Sequence, residues 1–316
     1  MWKYVSRRLL SAIVVLAIMS MIDFWMINLA PGDPLQAMLP PTPRALSIYK
    51  QLYHQYGLDQ SIPVRYVEWV VAVLHGHWGT SFQTQQPVGA ILLTAIPNTL
   101  LLAGTALLLS LLIGIPLGVL AASKGSVVDE LIRLLSFVTF AIQPAFLAAV
   151  VVFVFAVTLH WFPANGMSEF NAQNSVLDVL DHLVLPASVL GLLGAPAYAQ
   201  YVRTSLLDVL QRDYLRTARA KGLRERTITW VHAFPNALGP LVTVLGLSLP
   251  AVLGGSLFIE VVFAWPGLGQ ESYRAATLRD YPVFMATSLL YALAVLVGNL
   301  VADLLYAVVD PRVRYD

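Results

Sequence analysis

Pro97–Ala122 reads PNTLLLAGTALLLSLLIGIPLGVLAA, a run without one charged side chain. Crossing the hydrocarbon core of a bilayer takes about 20 residues of helix at roughly 1.5 Å each, so this run is long enough. A lipid-exposed strand would leave its N–H and C=O groups unpaired, which makes helix the conformation to expect. Five further runs share this character: Leu9–Leu29, interrupted only by Asp23; Leu134–Leu159; Leu183–Val202; Asn236–Ile259; and Tyr281–Ala302, extended by Leu304–Val309. All are rich in Leu and Ala, and none alternates as the strands of a barrel do.

The rest of the chain agrees. Of its 316 residues, 58% are hydrophobic and 12% charged, and the mean hydropathy is +0.71. A soluble chain carries about a quarter charged residues, which excludes an ordinary cytosolic enzyme and a disordered scaffold. A net charge of +1 without a long basic tract gives no footprint for a nucleic-acid partner. The absence of cysteine excludes disulfides, thiolate nucleophiles and Cys-based metal sites. The expected fold class is an all-α integral membrane protein with six transmembrane helices, and the lipid bilayer is its solvent.

Lys and Arg set the expected orientation, because they concentrate on the cytoplasmic side. With both termini cytoplasmic, the inner stretches hold Lys3, Arg7, Arg8, Lys124, Arg133, Arg203, Arg212, Arg216, Arg219, Lys221, Arg224, Arg226, Arg312 and Arg314. The outer stretches hold Arg44, Lys50, Arg65, Arg274 and Arg279. Met1–Ala30 has the basic start of a signal peptide, but its apolar core is too long and it exits through Ala30-Pro31-Gly32-Asp33-Pro34. It is expected to remain as an anchor.

The chain thus divides into residues 1–30, the anchor helix; 31–93, an external segment; 94–310, a five-helix core containing the cytoplasmic loop 203–235; and 311–316, a cytoplasmic tail. Within the external segment, Val64–Leu74 is apolar, carries Tyr66 and Trp69, and is too short to span. An interfacial helix with its rings at headgroup depth is expected there. Loop 160–182 has no Lys or Arg and holds Glu169, Asp178 and Asp181.

Catalytic constellations are missing from the sequence. The nearest approach to a phosphate-binding loop, Gly118–Lys124, lacks the second Gly that lets the backbone wrap the phosphates. No nucleophile elbow or zinc-protease helix occurs. His75 and His77 form a His-x-His pair without a carboxylate pair nearby, a poor metal site that reads better as solvated interfacial histidine. Asp23, Glu260 and Asp303 are carboxylates inside apolar runs. They lie toward opposite ends of their spans, which suits anchoring or a polar contact inside the bundle better than a proton relay. Five prolines inside the runs, Pro144, Pro186, Pro196, Pro240 and Pro250, are expected to break helices, yet no paired half-repeat of a secondary transporter is apparent.

The most informative stretch is the basic loop from Asp213 to Ala237. Asp213 is placed to cap a helix over Tyr214–Lys221, built from Leu215, Arg216, Thr217, Ala218, Arg219 and Ala220. Gly222 can end it in a left-handed conformation. A second helix is expected over Thr227–Ala233, stopping near Pro235. A loop written only for charge would not need small Ala218 and Ala220 one turn before a Gly. Small residues on a short rigid helix suit insertion into a partner's groove.

This loop resembles that of the permease subunits of binding-protein-dependent ABC importers, in the oligopeptide/dipeptide/nickel branch. The general signature of those permeases is Glu-Ala-Ala-x3-Gly-x9-Ile-x-Leu-Pro. Set on Gly222 and Pro235, it places Arg216, Thr217 and Ala218 at the first triplet, His232 at the Ile and Phe234 at the Leu. The Arg-Thr-Ala-Arg-Ala-Lys-Gly form is similar to that of the peptide branch. Further matches are Ala30-Pro-Gly-Asp33-Pro34, Tyr56-Gly-Leu-Asp59, Gly79-Thr-Ser-Phe82 with Pro87-Val88, Gly254-Gly255 with Glu260, Phe263-Ala-Trp-Pro-Gly-Leu-Gly269, Arg279-Asp-Tyr-Pro282, and Asn299, Asp303 and Asp310-Pro-Arg312. His77 stands where that branch usually has Asp.

The resemblance implies one half of a translocation pore in the cytoplasmic membrane of a prokaryote. A second homologous permease would complete the pore, and two cytoplasmic ATPase subunits would bind the ATP and Mg²⁺, leaving this chain without cofactor or catalytic residue. An extracytoplasmic solute-binding protein would deliver di- or oligopeptides, with nickel or another small solute as the alternative cargo. Asp213–Gly222 would then be the ATPase-coupling helix, with Leu215, Ala218 and Gly222 seating it, and His232, Pro235 and Asn236 would close the coupling loop. The other classes weighed are a self-contained secondary transporter and a membrane enzyme.

Overall fold

The computed structural model describes residues 2–29, 49, 51, 53–54, 57–124, 126–169 and 175–309. Helices account for most of them: α1 Trp2–Leu29, α2 Ile62–Leu74, α3 Val88–Lys124, α4 Ser126–Ala141 and α5 Pro144–Val151, which runs on in π-turns to Thr158. After these come α6 Val176–Leu210, α7 Asp213–Ala220, α8 Glu225–Thr227 with π-turns over Ile228–Ala233, α9 Phe234–Val262, α10 Leu268–Leu278 and α11 Tyr281–Val309. Among the described residues there is no strand, and one isolated bridge joins Thr80 and Pro87.

Four single helices are long and apolar enough to cross a bilayer: Arg7–Leu29, Val88–Ser123, Val176–Leu210 and Tyr281–Val301. A bent pair, Asp129–Ala141 with Pro144–Thr158, is long and apolar enough for a fifth if its halves are taken together as one span. α9 covers the expected run Asn236–Ile259 as one helix. Val88–Leu93, assigned to the external segment by composition, is already the first part of α3.

The expected third span, Leu134–Leu159, is not one continuous helix. Its halves meet at 100° across Ile142 and Gln143. Pro144 crowds the residue before it out of the helical region, and Gln143 takes φ −68° and ψ 128°, an extended conformation. The other four prolines correct the expectation in the opposite sense, since α6 runs through Pro186 and Pro196, and α9 through Pro240 and Pro250. Neighbouring helices and hydroxyl side chains can re-satisfy backbone freed by an intramembrane proline. The carbonyls deprived of a helical N–H here are those of His182 and Leu192, four residues before each proline. The Ser110 hydroxyl of α3 donates instead to the Gly191 carbonyl at 2.8 Å and ties α6 to α3.

Two compact units result. One comprises residues 99–265 and 295–316. In it α3 crosses α6 at very short range: a Cβ on Gly114 would lie 2.6 Å from the Ala195 carbonyl oxygen, and one on Gly118 would lie 2.5 Å from that of Ala199. Small residues let membrane helices approach this closely, so dispersion contacts replace the missing hydrophobic drive. One core cluster of this unit gathers Leu102, Ala148, Leu183, Val189, Ile259, Phe263 and Trp265. Glu260 is fully buried in the same unit.

The other unit comprises residues 1–98 and 266–294. Here α2 docks on α1 through rings. Phe24 meets Tyr66 edge-on at 5.5 Å and Trp69 at 6.2 Å, and the Tyr66 hydroxyl lies 3.0 Å from that of Ser20. Val64, Val67, Val71 and Leu74 form an exposed apolar stripe along α2. Asp23 accepts a hydrogen bond from the Ser288 hydroxyl of α11. The buried carboxylate of Asp280, just before α11, accepts the Ser81 hydroxyl and the N–H groups of Phe82 and Gln83.

Candidate functional site

α6 leads into the basic loop, and its end is fixed to two other helices. Arg203 forms an ion pair with Asp129 of α4, its Nη2 donating to Oδ2 at 2.8 Å. The Ser205 hydroxyl donates to the Ala237 carbonyl of α9 at 2.8 Å. The chain turns at Gln211–Arg212 and α7 begins.

Asp213 does not cap this helix. Arg212 holds the cap position in an extended conformation, without a side-chain cap bond, and Asp213 is the first-turn acid. A carboxylate there still favours the positive end of the helix, and it lies 3.4 Å from Arg216 Nη1. α7 therefore spans Asp213–Ala220, one residue earlier at each end than expected, with Lys221 as its C-cap.

One face of α7 belongs to the chain itself. Leu215 is 0% exposed among Leu206 and Val209 of α6, Ile228 and Ala233 of the π-turns, and Ala237 and Leu241 of α9. Ala218, one turn on, packs against the same cluster. These two residues seat α7 on its own scaffold rather than in a partner's groove. Tyr214, Arg216, Thr217, Arg219, Ala220, Lys221 and Gly222 are exposed.

Gly222 takes φ +79°, the left-handed conformation expected of it. The Gly222 N–H donates to the Arg219 carbonyl at 2.9 Å, and the Leu223 N–H to that of Ala218 at 3.4 Å. This pair of bonds is a Schellman ending, which satisfies carbonyls that a helix end leaves open. Nothing lies within 4 Å of the place a Cβ on Gly222 would occupy, so the backbone angle alone demands glycine. Across the turn, Arg219 Nε donates to Glu225 Oε1 at 2.9 Å. Lys221, Arg224 and Arg226 make no ion pair with a described residue, which leaves the outer face strongly positive.

The expected stop at Pro235 does not occur. The π-turns over Ile228–Ala233 lead straight into α9, with Pro235 in its first turn, where a missing N–H costs little. The Asn236 side-chain amide donates to the His232 carbonyl at 2.7 Å, serving backbone close to the proline. His232 is half-buried, while Pro235 and Asn236 are exposed. The sequence reading passed over Trp230 and Val231, which are exposed beside α9's start, Val231 at 61%. Trp230 and Phe234 pack ring to ring at 5.3 Å. Apolar side chains held in the open on a basic loop were the available signal.

The whole-chain comparisons point the same way. Residues 114–315 match the family described as binding-protein-dependent transport system inner membrane component, and residues 1–103 match the corresponding N-terminal component. The chain belongs to this family. An oligopeptide transport system permease protein of Bacillus subtilis is 40% identical over 99% of both chains. A glutathione transport system permease protein of Salmonella choleraesuis is 36% identical over the full length of both, and a di/tripeptide transport system permease protein of Pseudomonas aeruginosa is 34% identical over 100% of this chain and 99% of its own. Among solved structures, a chain of the MetNI methionine ABC transporter in inward-facing conformation aligns with TM-score 0.55, covering 72% of this chain and 99% of that one. At 20% identity that likeness is one of fold.

This inner membrane component is thus a multi-pass protein of the prokaryotic cell membrane. Among its described residues no group of three or more His, Asp and Glu side chains is arranged to hold a metal ion. His75 Nδ1 lies 2.7 Å from the Val71 carbonyl, one turn back on α2. The side chain of Asp303 and residues 310–316, with Asp310, Arg312 and Arg314, lie outside the description, as does Ala30–Pro34.

Proposed function

We infer that this permease is one half of the pore of an ABC importer for di- and oligopeptides. Six spans with both termini in the cytoplasm, a second permease, two ATPase subunits and an extracytoplasmic binding protein complete the reading. One observation carries it: α7 is a short rigid helix whose inner face, Leu215 and Ala218, is locked to α6 and α9, while its outer face is basic and exposed. A helix built this way transmits a push. Closure of ATPase subunits can bias the spans only through contacts that differ between two states. Such contacts would reach Leu206 and Val209 on α6 and Ala237 and Leu241 on α9 through one apolar cluster.

The peptide cargo is supported by relatives named for oligopeptide, glutathione and di/tripeptide transport. ATP and Mg²⁺ belong to the partner subunits in this reading, and nickel is the lesser alternative for cargo. The test is affinity purification of the tagged chain followed by reconstitution. ATPase subunits should accompany it, and hydrolysis should rise when peptide-loaded binding protein is added. A chain that purifies alone and moves solute by itself would instead be a secondary transporter.

A further inference from the structure

Arg65 and Glu68 stand one turn apart on α2 and line a cavity of about 560 Å³. Opposite charges three residues apart on a helix ordinarily attract into a pair. These do not close on each other, and neither side chain makes a hydrogen bond or ion pair with a described residue. The Arg65 guanidinium is half-buried 5.9 Å above the Phe24 ring. Burial pulls its pKa down from the ordinary arginine value.

Phe24, Trp69, Trp78 and Tyr281 supply aromatic wall, and Ile27 and Met285 supply aliphatic wall. The cavity lies at the C-terminal end of α1 and the N-terminal end of α11, two apolar spans, and thus at the depth where Trp and Tyr meet headgroups. α1 gives Phe24, Ile27 and Asn28 to the cavity and exposes Ile22, Trp25, Met26 and Leu29 beside it.

We propose that this cavity binds the headgroup of a zwitterionic phospholipid of the phosphatidylethanolamine type, its phosphate on Arg65 and its ammonium on Glu68. The acyl chains lie along the exposed apolar side of α1. A guanidinium matches phosphate oxygens with two parallel hydrogen bonds, and the volume falls in the range of small-molecule sites. An anionic lipid without an ammonium satisfies Arg65 but sets its charge against Glu68. A free dipeptide carries both charges but has no tail to cover the apolar track of α1.

The test is native mass spectrometry of the full-length chain, with the subunits that accompany it, in detergent. Phosphatidylethanolamine and phosphatidylglycerol with identical acyl chains are titrated together. The wild type should retain phosphatidylethanolamine in preference. Glu68→Gln should abolish the preference by strengthening phosphatidylglycerol, and Arg65→Gln should weaken both lipids about tenfold, the effect of one charge-assisted contact. The lipid ratio in Glu68→Gln is read on one folded sample, so misfolding does not imitate it. Arg65→Lys, which keeps a cation on the phosphate, should recover part of the binding that Arg65→Gln loses, while an unfolded site would not. Equal retention of both lipids by the wild type, or unchanged retention by Arg65→Gln, overturns the proposal. Displacement of the lipid by a millimolar dipeptide such as Ala-Phe overturns it as well and assigns the cavity to free zwitterions.

Discussion

The N–H of Gly222 donates to the carbonyl of Arg219 at 2.9 Å, and it does so with Gly222 at φ +79°. A β-branched side chain is a genuine outlier in that region. Gly222→Val should therefore unseat the end of α7 at a local cost of about 1–3 kcal/mol. Binding-protein-stimulated ATPase of the complex should fall while assembly persists. Gly222→Asn should retain more stimulation than Val, because Asn tolerates the left-handed region. Full stimulation in the Val variant would remove α7 from the coupling path.

Leu215 and Arg216 are neighbours with opposite duties. Leu215→Ala empties a fully buried site and should lower stability by about 2–5 kcal/mol, seen as a drop in the melting temperature of the purified chain. Arg216→Ala removes an exposed side chain whose ion pair with Asp213 is itself exposed. Its melting temperature should stay within error, while affinity for the ATPase subunits weakens. Equal melting temperatures for the two variants would contradict the packing of α7.

Sidedness can be read by labelling. The chain has no cysteine of its own, so Ser168→Cys and Arg226→Cys, both at exposed positions, can be made without background from this subunit. A membrane-impermeant thiol reagent added to intact cells should modify the first and spare the second. The reverse pattern would invert the proposed orientation.

The crossing of α3 and α6 admits no side chain at Gly118, where a Cβ would also come within 2.7 Å of Val202 Cβ. Gly118→Leu should force the helices apart, at about 1–3 kcal/mol or more for overpacking. Gly104→Ala, on the same helix with nothing within 4 Å of the added atom, should be tolerated. Comparing detergent melting curves of the two variants checks this, and similar losses in both would argue against the close crossing.

The helices were legible wherever charge was absent over a bilayer's thickness, and the foot α2 where eleven apolar-leaning residues carried Tyr66 and Trp69. Gly222 was legible because a left-handed ending has few other solutions. The prolines were not. Whether Pro144 breaks a helix while Pro186, Pro196, Pro240 and Pro250 do not depends on which neighbours supply replacement contacts, a tertiary fact without local signature. Pro235 misled for a related reason: a proline that ends one helix and one in the first turn of the next look alike in sequence. Within the candidate site, the sequence named α7 but not the inward duty of Leu215, since the cluster that buries it draws on residues from Val119 to Leu241. The cavity at Arg65 stayed invisible because an unclosed ion pair is a matter of geometry.

Asp280 is 199 positions from the Ser81 whose hydroxyl it receives. Synthesis runs from the N-terminus, so when Ser81–Gln83 emerges, the carboxylate that satisfies its donors has not yet been made. The turn must wait, with its donors on water, until nearly nine-tenths of the chain has left the ribosome. The two matched family segments, 1–103 and 114–315, therefore do not mature in sequence order. The first closes only after most of the second has been inserted, and a chain truncated before Asp280 leaves its own beginning unfinished.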